Sequence, residues 1–221
     1  MIKLDYWLPG SQTFPIEQYQ VKIREIHNKL HQKTDDYSGW VDWPVKIDPD
    51  MVQDILDTAE EIKRKCTAFV VIGIGGSYLG AKACVELLKS QFYNEVYAAQ
   101  QKTPKIFFAG HHLSTLYYSD LFERLSQEDI CLCVISKSGT TLEPSVIFEL
   151  FQNYMVERYG EEEAAKRIYA ITDAERGSLR AEAEEKGYKS FVIPEDIGGR
   201  YSVQSIYRPL SFIPFLFFIG C

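Results

Sequence analysis

The stretch Phe69-Val70-Val71-Ile72-Gly73-Ile74-Gly75-Gly76-Ser77-Tyr78-Leu79-Gly80 decides the fold. Four consecutive apolar residues, three of them β-branched, read as a strand buried on both faces, since a half-exposed strand would alternate apolar and polar positions. Glycines then turn the chain, and Tyr78–Ser90 continues at helical spacing. The same rhythm recurs downstream. Lys105-Ile106-Phe107-Phe108 precedes Ser114–Ser126, and Ile130–Ile135 precedes Thr141–Arg158. Ile168–Ile171 precedes Ser178–Lys186, and Phe191-Val192-Ile193 precedes a Gly-Gly-Arg turn. Strands alternating with helices predict a five-stranded parallel sheet with helices on both faces, an α/β three-layer αβα sandwich.

Upstream of this rhythm lie two amphipathic helical stretches. Phe14–Lys33 carries Ile16, Tyr19, Ile23, Ile26 and Leu30, and Asp50–Lys65 carries Val52, Ile55, Leu56 and Ile62. Between them Thr34–Val45 is polar and aromatic, with Asp35, Asp36, Gly39 and Pro44 marking irregular structure. The chain therefore divides into a helical extension over 1–65 that packs on the sandwich, the sandwich itself over 66–203, and an apolar tail over 204–221.

Bulk properties narrow the function. The 221 residues are 46% hydrophobic and 25% charged, the balance of a globular protein. A formal charge of -7 argues against a nucleic-acid partner, which needs a basic stripe against phosphates. Met1–Gly10 contains Asp5 and lacks the apolar core of a signal peptide. Phe212–Ile219 is far shorter than the roughly 20 residues of a membrane span, so a cytoplasmic protein is expected with no membrane partner. The cysteines Cys66, Cys84, Cys131, Cys133 and Cys221 form no CxxC pair and have no histidine at zinc-ligand spacing, so no metal site is expected. Cys131 and Cys133 alternate along one strand and should face the same side as small buried hydrophobes.

In a sheet of this type ligands bind beyond the carboxyl ends of the strands. After the first strand, Gly73–Ser77 offers close backbone approach, free amides at a helix start and one hydroxyl. Two nucleotide readings of it fail. A dinucleotide fingerprint needs Gly or Ala where Tyr78 stands, and a Walker loop needs lysine where Ala81 stands. After the third strand, Ser136-Lys137-Ser138-Gly139-Thr140-Thr141 crowds four hydroxyls, a lysine and a glycine into one turn. Helix capping accounts for one or two such hydroxyls, and the set favours a phosphate group. After the fifth strand, Gly198-Gly199-Arg200-Tyr201-Ser202 places a guanidinium where it can hold a ligand oxygen or stabilise developing charge. Together these ends point to a sugar phosphate or a similar anion.

The ordered set resembles the glucose-6-phosphate isomerase family, in the form of its bacterial members, over about Phe69–Val203. That resemblance implies a domain of the sugar isomerase (SIS) type. It also implies an aldose–ketose isomerase of glycolysis and gluconeogenesis, interconverting glucose 6-phosphate and fructose 6-phosphate without metal or organic cofactor, and a homodimer. Carried over by position, Gly75, Gly76, Ser77, Ser136, Lys137, Ser138 and Thr141 would hold the substrate phosphate, Lys137 through its backbone amide. Arg200 would stabilise the enediolate, and Glu143 would support an active-site histidine. The family pattern breaks off after Val203, where Gln204–Leu210 and an aromatic tail replace a helix-forming stretch. No counterpart is found here for the glutamate base, the ring-opening histidine or the late lysine. This is the pattern expected of a product truncated or frameshifted just after Val203, inactive as an isolated chain. Two alternatives stay open: a non-catalytic sugar-phosphate-binding module, and an isomerase of another phosphosugar. Of the histidines, His27 and His31 read as solvated helix residues; His111 and His112 follow Gly110, from where they could approach the ligand edge, but that is not the favoured reading.

Overall fold

The computed structural model describes residues 16–32, 37–46, 48–98 and 103–198. Helices α1 (Gln20–Gln32), α2 (Trp43–Lys46) and α3 (Pro49–Lys65) come first. Strand β1 (Ala68–Ile72) follows, then α4 (Gly76–Leu88), α5 (Tyr93–Ala98), β2 (Lys105–Ala109) and α6 (Thr115–Leu125). The chain continues through β3 (Ile130–Ile135), α7 (Leu142–Tyr159), α8 (Glu161–Ala165), β4 (Ile168–Thr172), α9 (Ser178–Lys186) and β5 (Lys189–Val192). All neighbouring strands pair in parallel, in the order β2-β1-β3-β4-β5.

Every residue of β1, β3 and β4 is buried, and successive residues enter opposite cores. Phe69, Val71, Cys131, Cys133, Tyr169 and Ile171 pack with Ile55, Ala59 and Ile62 of α3 and Ala81 and Val85 of α4. Val70, Ile72, Leu132, Val134 and Ala170 pack with Leu121 and Leu125 of α6, Phe151 and Met155 of α7, and Leu179 and Ala183 of α9. Cys131 and Cys133 thus share one face as expected, as free thiols, and full burial pushes the Cys133 thiol far up.

Crossover handedness explains which helix lies where. The step from β1 to β2 runs one way along the sheet, and the three later steps run the other way. Right-handed crossovers then place α4 on one face and α6, α7 and α9 on the opposite one, as the two cores show. The direction reverses between the adjacent strands β1 and β3, and this is the topological switch point where such sheets bind ligands.

Three local features depart from the sequence reading. Packing of both N-terminal helices on the sheet holds for α3, which is an integral part of one layer, whereas α1 buries none of its residues. Helix α5 is too short for its periodicity to be read. Its Asn94 side chain bonds the Ile106 N–H and carbonyl, which blunts the β2 edge. Strand β5 begins earlier than its apolar residues, because Lys189 already pairs opposite Tyr169 and reaches Asp54 at 2.7 Å.

Candidate functional site

The loops after β1 and β3 meet at the switch point. Ile72 pairs with Val134, and Gly73 continues the ladder by donating to the Ala109 carbonyl. A Cβ on Gly73 would stand 3.3 Å from the Ile135 carbonyl oxygen, so the two loops leave their strands side by side.

In the first loop, Gly75 precedes α4 with φ 57°, and the helix starts at Gly76. The amides of Gly75 and Gly76 donate to no acceptor among the described residues. Ser77 lies in the first turn of α4, its amide bonded to the Ile74 carbonyl at 3.2 Å. Two unpaired N–H groups at a helix start, with the positive end of its dipole, form an anion-compatible corner.

The second loop is built by its own hydroxyls. Ser136 is buried and accepts from the Gly139 amide at 3.0 Å, while Ser138 accepts from the Thr140 amide and hydroxyl at 3.3 and 3.1 Å. Ser145 and Ser178 both donate to the Gly139 carbonyl, at 3.1 and 2.7 Å. These bonds fold the turn so that the Lys137 and Ser138 amides have no acceptor among the described residues. Thr141 stands at the N-cap position of α7, yet its side chain makes no capping bond. Its hydroxyl is left for another partner. Glu143 is half-buried in the first turn of α7.

A cleft of about 800 Å³ runs from this turn between α7 and α9. Glu149, Glu157, Glu161 and Glu182 line it with one cation, Lys186, so the cleft is acidic overall, and Ser136 and Gly139 are the turn's contribution to it.

The side chain of Lys137 does not point at the loop amides. It donates to the carbonyls of Pro194, Glu195 and Ile197, at 3.3, 2.7 and 2.9 Å. Gly198 is the last residue described in that segment. Gly199 and Arg200 lie outside the described residues, so the position of the Arg200 guanidinium is not part of this geometry.

The loop after β2 closes the other flank. Gly110 donates to the Tyr118 hydroxyl at 2.8 Å, and a Cβ on it would meet the Gly73 amide at 3.1 Å and the Pro144 Cα at 3.2 Å. His111 stacks on Tyr78 with ring centroids 4.8 Å apart, and its buried Nδ1 has no partner. Burial, followed by the His112 and Lys82 charges, pulls the His111 imidazole below its usual range, so it is neutral at pH 7. His111 therefore backs the first loop through Tyr78. Among the described residues no cluster of three or more His, Cys, Asp and Glu is placed to hold a metal ion, and no helix is long and apolar enough to cross a membrane.

Known proteins share this fold. A sequence model of the family described as phosphoglucose isomerase matches residues 57–213. The chain belongs to the phosphoglucose isomerase family. It is 46% identical over 206 residues to a glucose-6-phosphate isomerase of Clostridium perfringens, covering 92% of this chain and 46% of that protein. Among solved structures it resembles a hypothetical protein from Thermus thermophilus, with a TM-score of 0.75 and 26% identity, over 93% of this chain and 46% of that one. It also resembles a glucose-6-phosphate isomerase from Chlamydia trachomatis, with a TM-score of 0.56 and 25% identity, over 77% of this chain and 31% of that one. The chain spans about half the length of the curated relatives it matches. The family match takes in both loops at the switch point and the Gly-Gly-Arg sequence at 198–200.

Proposed function

We propose that this chain carries the phosphate-holding part of an aldose–ketose isomerase that interconverts glucose 6-phosphate and fructose 6-phosphate. The observation that carries the reading is the pairing at the switch point of two helix-start loops whose amides lack acceptors. In this reading the phosphate sits between the amides of Gly75, Gly76, Lys137 and Ser138, with hydroxyls from Ser77, Ser136, Ser138 and Thr141. A dianion held by amides and hydroxyls keeps its charge and its orientation, which fixes the sugar carbons for proton transfer. Arg200 has the role of stabilising the developing enediolate, and Glu143 acts as a support for the acid–base machinery. No metal or organic cofactor takes part, and the partner is the sugar phosphate itself.

Calorimetry with fructose 6-phosphate tests the site. Saturable binding is the expected result, and absence of binding to both the sugar phosphate and inorganic phosphate would overturn the site. Equal affinity for an unrelated phosphosugar would favour the binding-module alternative.

A further inference from the structure

Thr172 carries a hydroxyl that the fold leaves unused. The residue ends β4, is 0% exposed, and its Oγ1 has no hydrogen-bond partner among the described residues. Ile168, Tyr169, Ala170 and Ile171 before it are buried too, and valine would fill the last position with the same shape and no stranded O–H. A buried hydroxyl without a partner weakens the fold, so its presence calls for an explanation.

The neighbouring strand supplies one. Ile135 pairs with Ile171, and the ladder runs one step further, the Ser136 amide donating to the Ile171 carbonyl at 3.0 Å. Ser136 and Thr172 therefore stand side by side at the ends of β3 and β4. Val134 and Ala170, two residues earlier on each strand, enter the core under α6, α7 and α9, so the Ser136 and Thr172 side chains share that face. Strands lie about 4.8 Å apart, a gap that two hydroxyls span once the Thr172 side chain turns about its Cα–Cβ bond. The place is roofed by the turn itself. Ser178 donates to the Gly139 carbonyl at 2.7 Å, and a Cβ on Gly177 would stand 2.6 Å from the Ser138 carbonyl oxygen. The loop after β4 is thus seated on the turn after β3, and Thr172 lies at its root.

We propose that Thr172 is a positioning residue for the phosphate turn, its hydroxyl donating to that of Ser136. A serine hydroxyl has two lone pairs and one hydrogen. The Gly139 amide takes one lone pair of Ser136, at 3.0 Å. A bond from Thr172 takes the other and leaves Ser136 only its own hydrogen to offer, at the cleft that it lines. Ser136 becomes a one-way donor, suited to a phosphate oxygen, and the bond it receives strengthens the one it gives. The inference rests on the proposed phosphate site for its ligand, but not for the bond between the two side chains.

Four variants test it by calorimetry with inorganic phosphate: Thr172→Val, Thr172→Ser, Ser136→Ala, and Ser136→Ala combined with Thr172→Val. Thr172→Val should leave the urea midpoint unchanged or raise it, since it removes a stranded hydroxyl at constant shape. Phosphate affinity should nevertheless fall about tenfold, and Thr172→Ser should stay within about threefold of the unaltered chain. On the Ser136→Ala background, Thr172→Val should change affinity by less than about twofold, because the group it acts through is gone. Amide exchange at Gly139, followed without ligand, should quicken about fivefold in Thr172→Val and return in Thr172→Ser, since a loosened Ser136 holds that amide less firmly. Unchanged affinity in Thr172→Val overturns the inference. An equal loss with or without the Ser136 hydroxyl overturns it too, by showing that Thr172 acts through packing. If the unaltered chain binds no phosphate, the phosphate site is wrong, and exchange at Gly139 decides the bond: an unchanged rate in Thr172→Val overturns it.

Discussion

Gly139 offers the sharpest test of how the phosphate turn is built. Its φ is +69°, a conformation that costs an alanine about 1–2 kcal/mol. Space is lacking as well. A Cβ would lie 2.4 Å from the Leu179 amide and 2.6 Å from the Ser178 hydroxyl oxygen, so either the turn or the start of α9 must move. That movement breaks the bonds from Ser145 and Ser178 to the Gly139 carbonyl, at about 1 kcal/mol each. The sum for Gly139→Ala is about 3 kcal/mol of unfolding free energy.

Gly187, at the end of α9, is a matched control. It has φ +71° and nothing within 4 Å of its missing Cβ, so Gly187→Ala meets only the backbone term of about 1 kcal/mol. Urea titration of both variants should separate them by about 2 kcal/mol, and only Gly139→Ala should weaken binding of inorganic phosphate. Equal costs for the two glycines would refute the claim that the turn is locked against α9.

Thr141→Ala should leave the urea midpoint nearly unchanged while phosphate affinity falls about tenfold, because its hydroxyl makes no capping bond. Ser114→Ala is its converse: Ser114 accepts from the Tyr117 amide at the start of α6, so calorimetric melting should report a loss of about 1 kcal/mol with phosphate binding intact. Burial alone would raise the Glu128 carboxyl, but hydrogen bonds from Lys105, Arg124 and Thr67 outweigh it and hold the group below its ordinary value of 4.5. That stabilisation is complete above the ordinary value and disappears as pH falls through the depressed one. Glu128→Gln should therefore cost about 3 kcal/mol at pH 7 and markedly less near pH 3, read by urea titration at both. Phe151 of α7 is fully buried against the sheet, and Phe151→Ala should lower unfolding free energy by about 3–5 kcal/mol, with a loss below about 1 arguing against the packing described.

The sheet was legible because its interior strands are continuous apolar runs, a pattern that few other structures share. Ala68–Ile72 and Ile130–Ile135 sit where their composition places them, and only the edge strand β5 was misjudged, its first residues being polar. Strand order was not legible, since hydrophobicity says that a strand is buried but not beside which neighbour. The loops after β1 and β3 were found from their glycines and hydroxyls, whose local chemistry is visible one residue at a time. The role of the Lys137 side chain was invisible for the opposite reason. Its acceptors are main-chain carbonyls, which every residue possesses, so no residue type near 194–197 signals the contact. Arg200 lies outside the described residues, so its reading stays the one its sequence motif gives.

These placements bear on how a chain of net charge -7 can hold a dianion at all. Lysine charge at the site is already committed: Lys137 bonds carbonyls, and Lys82 of α4 lies 3.6 Å from Glu86. Among the described residues, attraction then comes from the unpaired amides of Gly75 and Gly76 at the start of α4 and of Lys137 and Ser138 in the turn before α7, whose partial charges act at short range. Such a field does nothing to draw anions from a distance, and it discriminates by fit once one arrives. A ligand must bring its phosphate within hydrogen-bond reach of both loops at once, and only the switch point, where β1 and β3 end side by side, allows that. On the proposed reading, the reversal of strand order is what would make an acidic chain competent to bind phosphate.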